Sequence, residues 1–293
     1  SVAYSISPDS KKVLIQDQED QLSVFDLDHK DQEALILKSQ KGKLTSHLWS
    51  RDSNRILIKY TFEENPYYYL VNISGSPEDY LIKDKFSFFP FFDQLYFSPT
   101  NSDELLGITK NGDLYKIIPD RGNMTKISEN ADRLFINHKG AYYYNSEKIS
   151  LFEIDNINSS QTLILENFIP SEDFVIINIS SGRYIKNDGN LYLIKDKNLI
   201  EEIEKGIDEL KESKNGKNYF FTRGFEIWTF DNSKKRSHMI TRFGKKIVSF
   251  EEAYKEQQLI YQLDGEIGII RIDRGVDQTI ERNEKIIEVR HLD

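Results

Sequence analysis

The sequence predicts an all-β chain made of about seven repeats of a four-stranded unit. Three observations carry this. A strand, a polar turn and a second strand recur along the whole length. The turns return every 33 to 48 residues, and the apolar segments between them alternate with the period of two that a half-buried strand requires. A repeat of roughly 40 residues holding four strands is the size of a propeller blade. The expected architecture over residues 1–293 is therefore one β-propeller domain of about seven four-stranded blades, with a partial eighth as an option.

The first unit reads Tyr4-Ser-Ile-Ser-Pro-Asp-Ser-Lys-Lys-Val-Leu-Ile15, then Leu22 to Leu27 and Ala34 to Leu37 as third and fourth strands. The order returns from Leu48 to Ile58, with Tyr68 to Ile73 and Tyr80 to Ile82 following, and again from Leu95 to Leu106 with Asp113 to Ile118. Weaker copies begin at Leu134, Phe174, Asn218 and Gln258. The first turns are marked by Ser7, Ser50, Ser98, Asn137, Ser180, Ser213 and Glu252. Between second and third strands stand Asn111-Gly112, Asp188-Gly189 and Asp264-Gly265, pairs that tolerate positive φ and favour tight hairpins.

Residues 199–210 carry apolar side chains at helical spacing and a helix-favouring composition. The repeat asks instead for an outer strand over 199–204 and the next inner strand over 207–210. Gly206 falls at the crossing between them and weakens a helix interior. Strands are the expectation. At the C-terminus, 285–292 resembles one more inner strand, which either starts an eighth blade or lacks a partner upstream of Ser1.

Ser-Pro-Asp-Ser-Lys-Lys-Val-Leu-Ile (7–15) and Asn-Gly-Asp-Leu-Tyr-Lys-Ile (111–117) resemble the repeats of TolB-type, WD-like and dipeptidyl-peptidase propellers. The whole chain resembles the propeller half of bacterial PEGA-domain envelope proteins. That resemblance implies non-catalytic binding at a cell envelope. With Ser1 in place of an initiator Met, the chain is expected to be excised from a longer one, with an export signal or anchor upstream giving an extracytoplasmic or membrane-anchored location.

Composition narrows the function. There is no cysteine, which excludes disulfides and thiolate metal sites. A net charge of −9 with interspersed signs opposes binding to nucleic acid or to an anionic membrane surface. No apolar run approaches the ~20 residues of a membrane span. No nucleophile elbow, P-loop or dinucleotide fingerprint occurs. His29, His47, His138, His238 and His291 lie apart, without the spacing of a zinc helix, and read as surface or packing residues. No enzyme activity, cofactor or metal is expected. The four Asn-x-Ser/Thr sequons read as chance in an Asn- and Ser-rich chain.

Two groups remain as binding candidates. Loops between second and third strands share one face in WD-type topology, and each carries acids: Asp17, Glu19 and Asp20, Glu63 and Glu64, Asp113, Glu147, Asp188, Glu226, and Asp264 with Glu266. Converging carboxylates would attract a cation or a basic partner; alternatively they only keep turns soluble. The second group is Phe88, Phe89, Phe91 and Phe92 in Phe-Ser-Phe-Phe-Pro-Phe-Phe (86–92), a link on the same face broken by Pro90. So short a link cannot turn all four rings inward, so they either anchor a partner or fill the wedge between sheets. The leading expectation is a scaffold for a protein or peptide. Its rivals are a glycan-binding or glycan-cleaving propeller using Glu63 with Glu64 or Asp264 with Glu266, and a structural spacer.

Overall fold

The computed structural model describes residues 3–272, apart from 10, 18–20, 30–34, 37–41, 74–77, 138, 156–158, 214–217, 232–235, 253–257 and 264–265. Seven antiparallel sheets follow one another in chain order, each with neighbouring strands consecutive in sequence. They are the blades of an all-β propeller fold. The chain forms two compact units, Ser1–Ile169 and Pro170–Asp293.

The first unit holds four sheets. They are β1 (Ala3–Ile6), β2 (Lys12–Gln16), β3 (Leu22–Asp26) and β4 (Leu35–Ile36); β5 (Lys43–Trp49), β6 (Arg55–Phe62), β7 (Asn65–Asn72) and β8 (Glu78–Leu81); β9 (Phe92–Phe97), β10 (Leu105–Thr109), β11 (Leu114–Ile118) and β12 (Asn123–Ser128); and β13 (Arg133–Ile136), β14 (Ala141–Asn145), β15 (Ser150–Ile154) and β16 (Gln161–Leu165). The second unit holds β17 (Val175–Ile179), β18 (Gly182–Asn187), β19 (Asn190–Asp196) and β20 (Leu199–Glu204); β21 (Leu210–Glu212), β22 (Tyr219–Arg223), β23 (Glu226–Asp231) and β24 (Arg236–Arg242); and β25 (Ile247–Glu252), β26 (Gln258–Leu263) and β27 (Glu266–Arg271). The segment 285–292 lies outside the described residues.

The ambiguous stretch 199–210 holds no helix: Leu199–Glu204 is the outer strand that the repeat requires. Its inner strand starts later than predicted, at Leu210 rather than Ile207. Gly206 turns the chain with φ +66°, and Ile207 is buried in the link, its N–H donating to the Gly189 carbonyl.

Among the described residues, second strands carry the largest share of the core. Every residue of β10 and of β14 is buried; strands flank both on either side, and apolar clusters cover both faces of β10. Alternation is therefore weak there and clearer in third strands such as β19 and β23. Gly107 in β10 has a packing reason: a Cβ would come within 2.7 Å of both the Leu95 and Phe92 side chains.

The serine markers hold the first turns. Ser7 Oγ donates to Asp9 at 2.6 Å and accepts the Lys12 N–H, and Ser50 repeats the arrangement with Asp52 and Arg55. Neighbouring turns are then stitched together. The Asp9 N–H donates to Ser53 Oγ at 3.0 Å, and that of Asp52 to Ser102 Oγ at 3.3 Å. Ser7, Ser50, Ser53 and Ser98 are all buried, so the Ser-Pro-Asp-Ser motif is structural here.

A second clamp works at the opposite strand ends. Asp132 accepts the Ser146 N–H at 2.7 Å, closing the β14–β15 turn. Asp173 accepts the N–H groups of Asp188 and Gly189 at 3.0 Å, and Asp208 accepts that of Gly224. In each case a carboxylate just before an inner strand caps the hairpin between the second and third strands of its own sheet. Asp173 also pairs with Lys186 at 2.6 Å, whose side chain is 4% exposed against 40% for the aspartate. Burial alone would raise the Asp173 carboxyl, but Lys186 and the Ser171 hydroxyl hold it well below the usual carboxylate range.

Two outcomes follow from these contacts. Asp173→Ala strands a buried ammonium and opens a hairpin. The loss is about 2 kcal/mol in a urea melt, below the ~3–5 kcal/mol of a fully buried pair because the carboxylate is partly screened. A loss under ~0.5 kcal/mol would contradict the clamp. His47 supplies the second. Trp49 Nε1 donates to Ser5 Oγ at 3.0 Å, leaving the Ser5 hydroxyl to donate to His47 Nε2 at 2.9 Å. Burial holds the His47 imidazole below its ordinary 6.5. The unfolded chain thus takes up the proton first, so this stability is complete above about pH 6.5 and declines as the pH falls below it. Thermal melts of His47→Gln between pH 7 and 5 should show a shallower decline than wild type; equal slopes would exclude the assignment.

Candidate functional site

The link 86–92 joins the second sheet to the third, after a 3-10 turn over Ile82–Lys85. Its rings sort by spacing. Phe86, Phe89 and Phe92, three apart, form a stack running into the core, with centroids 5.1 and 5.0 Å apart, and Phe92 meets Tyr115 edge-on at 5.9 Å. Phe88 and Phe91 project outward, 71% and 52% exposed. The four candidate phenylalanines thus divide. Phe92, 1% exposed, is a core residue and not a presented anchor; Phe89 is half-buried; Phe88 and Phe91 face solvent.

Beside the link runs β7, whose Pro66, Tyr67 and Tyr68 form the other wall of an open cleft. Leu81, Lys83, Phe89, Pro90, Phe91 and Phe92 complete it. Buried Tyr68 ties the walls together, its hydroxyl donating to the Asp93 carbonyl at 3.2 Å. Burial pushes this phenol up, so it stays a neutral donor. Lys59 Nζ donates to the same carbonyl at 3.0 Å, and Lys83 Nζ sits 5.0 Å over the Tyr67 ring. The link's backbone is also fixed, the Lys110 N–H donating to the Phe91 carbonyl where the β9–β10 pairing shifts register. The cleft is thus preformed, mostly apolar, and lined by no carboxylate.

The acids of the loops between second and third strands are less alike than their positions suggest. Asp113 pairs with Lys126 at 2.8 Å. Glu147 accepts from Asn130 Nδ2 at 2.6 Å. Glu226 opens β23 rather than lying in a loop, and pairs with Arg242 at 3.2 Å while accepting from Trp228 Nε1 at 2.9 Å. Those three are engaged within the fold. Asp188 is an exposed hairpin residue at φ +51°, followed by Gly189 at +69°. At the pair Asn111-Gly112 only the glycine is left-handed, at φ +81°. Asp17 is exposed; Glu19, Asp20 and Asp264 lie outside the described residues, and of Glu266 only its place as first residue of β27 is described.

Glu63 and Glu64 stand apart. They form the whole two-residue turn between β6 and β7, at φ +49° and +63°. Both are exposed, and among the described residues neither side chain has an ionic or hydrogen-bonding partner. Tight hairpins of this geometry favour Asn-Gly, so nothing in the local sequence signals this one. Sequence reasoning also missed the capping aspartates, 14 to 16 residues before the N–H groups they bind; only the hairpin register brings them together.

Among the described residues no group of three His, Asp or Glu side chains is placed to hold a metal, and no helix is long and apolar enough to cross a membrane. No protein-family model and no curated protein matches the chain. Among solved structures it is similar to dihydro-heme d1 dehydrogenase NirN in complex with DHE, at TM-score 0.63 and 9% identity over 92% of this chain and 64% of that one. It is similar to the C-terminal WD40 domain of Sif2, at TM-score 0.57 and 13% identity over 92% and 80%. It is also similar to the β-propeller domain of Cps50 (Swd1) from Myceliophteria thermophila, at TM-score 0.56 and 10% identity over 90% and 93%. Identities this low show the β-propeller fold and leave function to the site.

Replacing Glu63-Glu64 by Asn-Gly relieves two left-handed glutamates and should stabilise the protein by about 1–2 kcal/mol in chemical denaturation. Unchanged or reduced stability would mean the turn is not strained.

Proposed function

We propose that the protein is a non-catalytic β-propeller scaffold that binds a protein or peptide through the aromatic cleft between β7 and the 86–92 link. The observation that carries this is the pairing of a rigid apolar cleft with two outward phenylalanines, Phe88 and Phe91, on a link whose other rings are locked into the core. Exposed aromatics beside a desolvated pocket are the usual anchors of protein recognition. The WD40 neighbours support a scaffold role. The glycan-cleaving alternative needs two carboxylates facing one cleft, and this cleft is lined by none. The resemblance of the repeats to TolB-type and PEGA-associated propellers supports a bacterial envelope location, with the chain acting as one propeller domain of a longer protein.

The test is a comparison of partner capture from native cell extract by wild type and by Phe88→Ser/Phe91→Ser. Both rings are exposed, so the variant should melt within a few degrees of wild type. Partners held by wild type should be lost from it. An identical set on both proteins would end the proposal.

A further inference from the structure

A dipeptide well suited to a tight hairpin is also a chemically weak one. Asp188-Gly189 forms the whole two-residue turn between β18 and β19, with φ +51° and +69°. Glycine has no side chain to shield its nitrogen from the aspartate before it. In the reaction open to this pair, the Gly189 nitrogen bonds to Asp188 Cγ while the amide proton and the carboxyl hydroxyl leave as water. A five-membered succinimide results. Water then opens the ring at the backbone carbonyl to give isoaspartate, whose main chain runs through Cβ and Cγ.

Burial gives no protection, because Asp188 is exposed. The attacking nitrogen, however, is engaged. Its N–H donates to Asp173 Oδ2 at 3.0 Å, and the other oxygen of that carboxylate accepts the Asp188 N–H at 3.0 Å. Attack requires the nitrogen to release this proton, which breaks a charge-assisted hydrogen bond and builds negative charge against a carboxylate. Asp173 is itself fixed by the buried Lys186 ammonium at 2.6 Å and by the Ser171 hydroxyl. The Gly189 carbonyl accepts the Ile207 N–H at 2.7 Å, so the glycine is held through both of its peptide groups. In Asn111-Gly112 the glycine N–H is taken as well, by the Thr109 carbonyl at 3.0 Å.

We infer that Asp188 is a latent isomerisation site and that Asp173 guards it, the carboxylate that caps the hairpin also withholding the Gly189 nitrogen from Asp188 Cγ. Isoaspartate would lengthen the backbone inside the turn and disturb the pairing of Asn187 with Asn190. The guard therefore preserves the hairpin over the lifetime of the protein, whatever the cleft binds.

The test is to incubate the full chain for weeks in neutral buffer and read isoaspartate at position 188 by peptide mapping with electron-transfer fragmentation. Folded wild type should form it at least about tenfold more slowly than wild type unfolded in urea, and Asp173→Ala about tenfold faster than folded wild type, the size expected for losing a hydrogen bond to a charged group. Asp173→Asn, which keeps the shape without the charge, should also exceed wild type. Asp208→Ala removes the equivalent cap at Gly224 in the sixth sheet and controls for general loss of stability, so it should leave position 188 at the wild-type rate. Equal rates in folded and unfolded wild type, or in wild type and either Asp173 variant, would overturn the inference. An equal rise in Asp208→Ala would trace the reaction to unfolding and overturn it too.

Discussion

Each sheet in this fold reverses direction at every strand end, and each reversal leaves backbone N–H groups in need of acceptors. Short side chains on neighbouring segments meet that need. Buried serines and their partner aspartates close the first turns, while Asp132, Asp173 and Asp208 reach across from the preceding links to cap the hairpins between second and third strands. Because each such hydrogen bond is worth ~0.5–1.5 kcal/mol net, these contacts make hairpin position a property of the fold rather than of loop flexibility. The strands can then be short, and the second strand of a sheet can be buried throughout, as in β10 and β14.

The aromatic cleft depends on the same economy. In the third sheet, Asp93, the second residue of the inner strand β9, contributes its backbone carbonyl, which takes both the Tyr68 hydroxyl and the Lys59 ammonium. That pins β7 to the start of β9. The gap opposite Gly107 admits Phe92, Phe92 supports Phe89, and Phe89 supports Phe86. With three rings of the link committed inward, Phe88 and Phe91 have no core to enter. Exposure of those two is thus a consequence of packing, and a surface held open in this way has no ordering cost left to meet on binding under the proposed function.

Much of this was legible in the sequence because it is local. Repeated polar turns located the sheets, Gly206 marked a crossing, and the shortness of the 86–92 link required some rings to face outward. What stayed hidden depends on register. The inward set at Phe86, Phe89 and Phe92 follows from where β9 begins. Asp113 finds Lys126 across a pairing that shifts register between Leu114 and Tyr115. Glu63-Glu64 adopts a geometry for which its residues give no cue. By position alone the acids formed one set, whereas Asp113, Glu147 and Glu226 are engaged within the fold and Glu63, Glu64 and Asp188 have no side-chain partner among the described residues.

The central claim is that carboxylates placed just before the inner strands hold the hairpins of the fourth, fifth and sixth sheets rigid. Residue-resolved amide hydrogen exchange on the free protein measures this most directly. The amides of Ser146, Asp188, Gly189 and Gly224, though at hairpin tips, should exchange as slowly as those of the strands they join. Exchange at those tips close to the rate of an unstructured peptide would show that the capping carboxylates do not hold them, and would contradict the account.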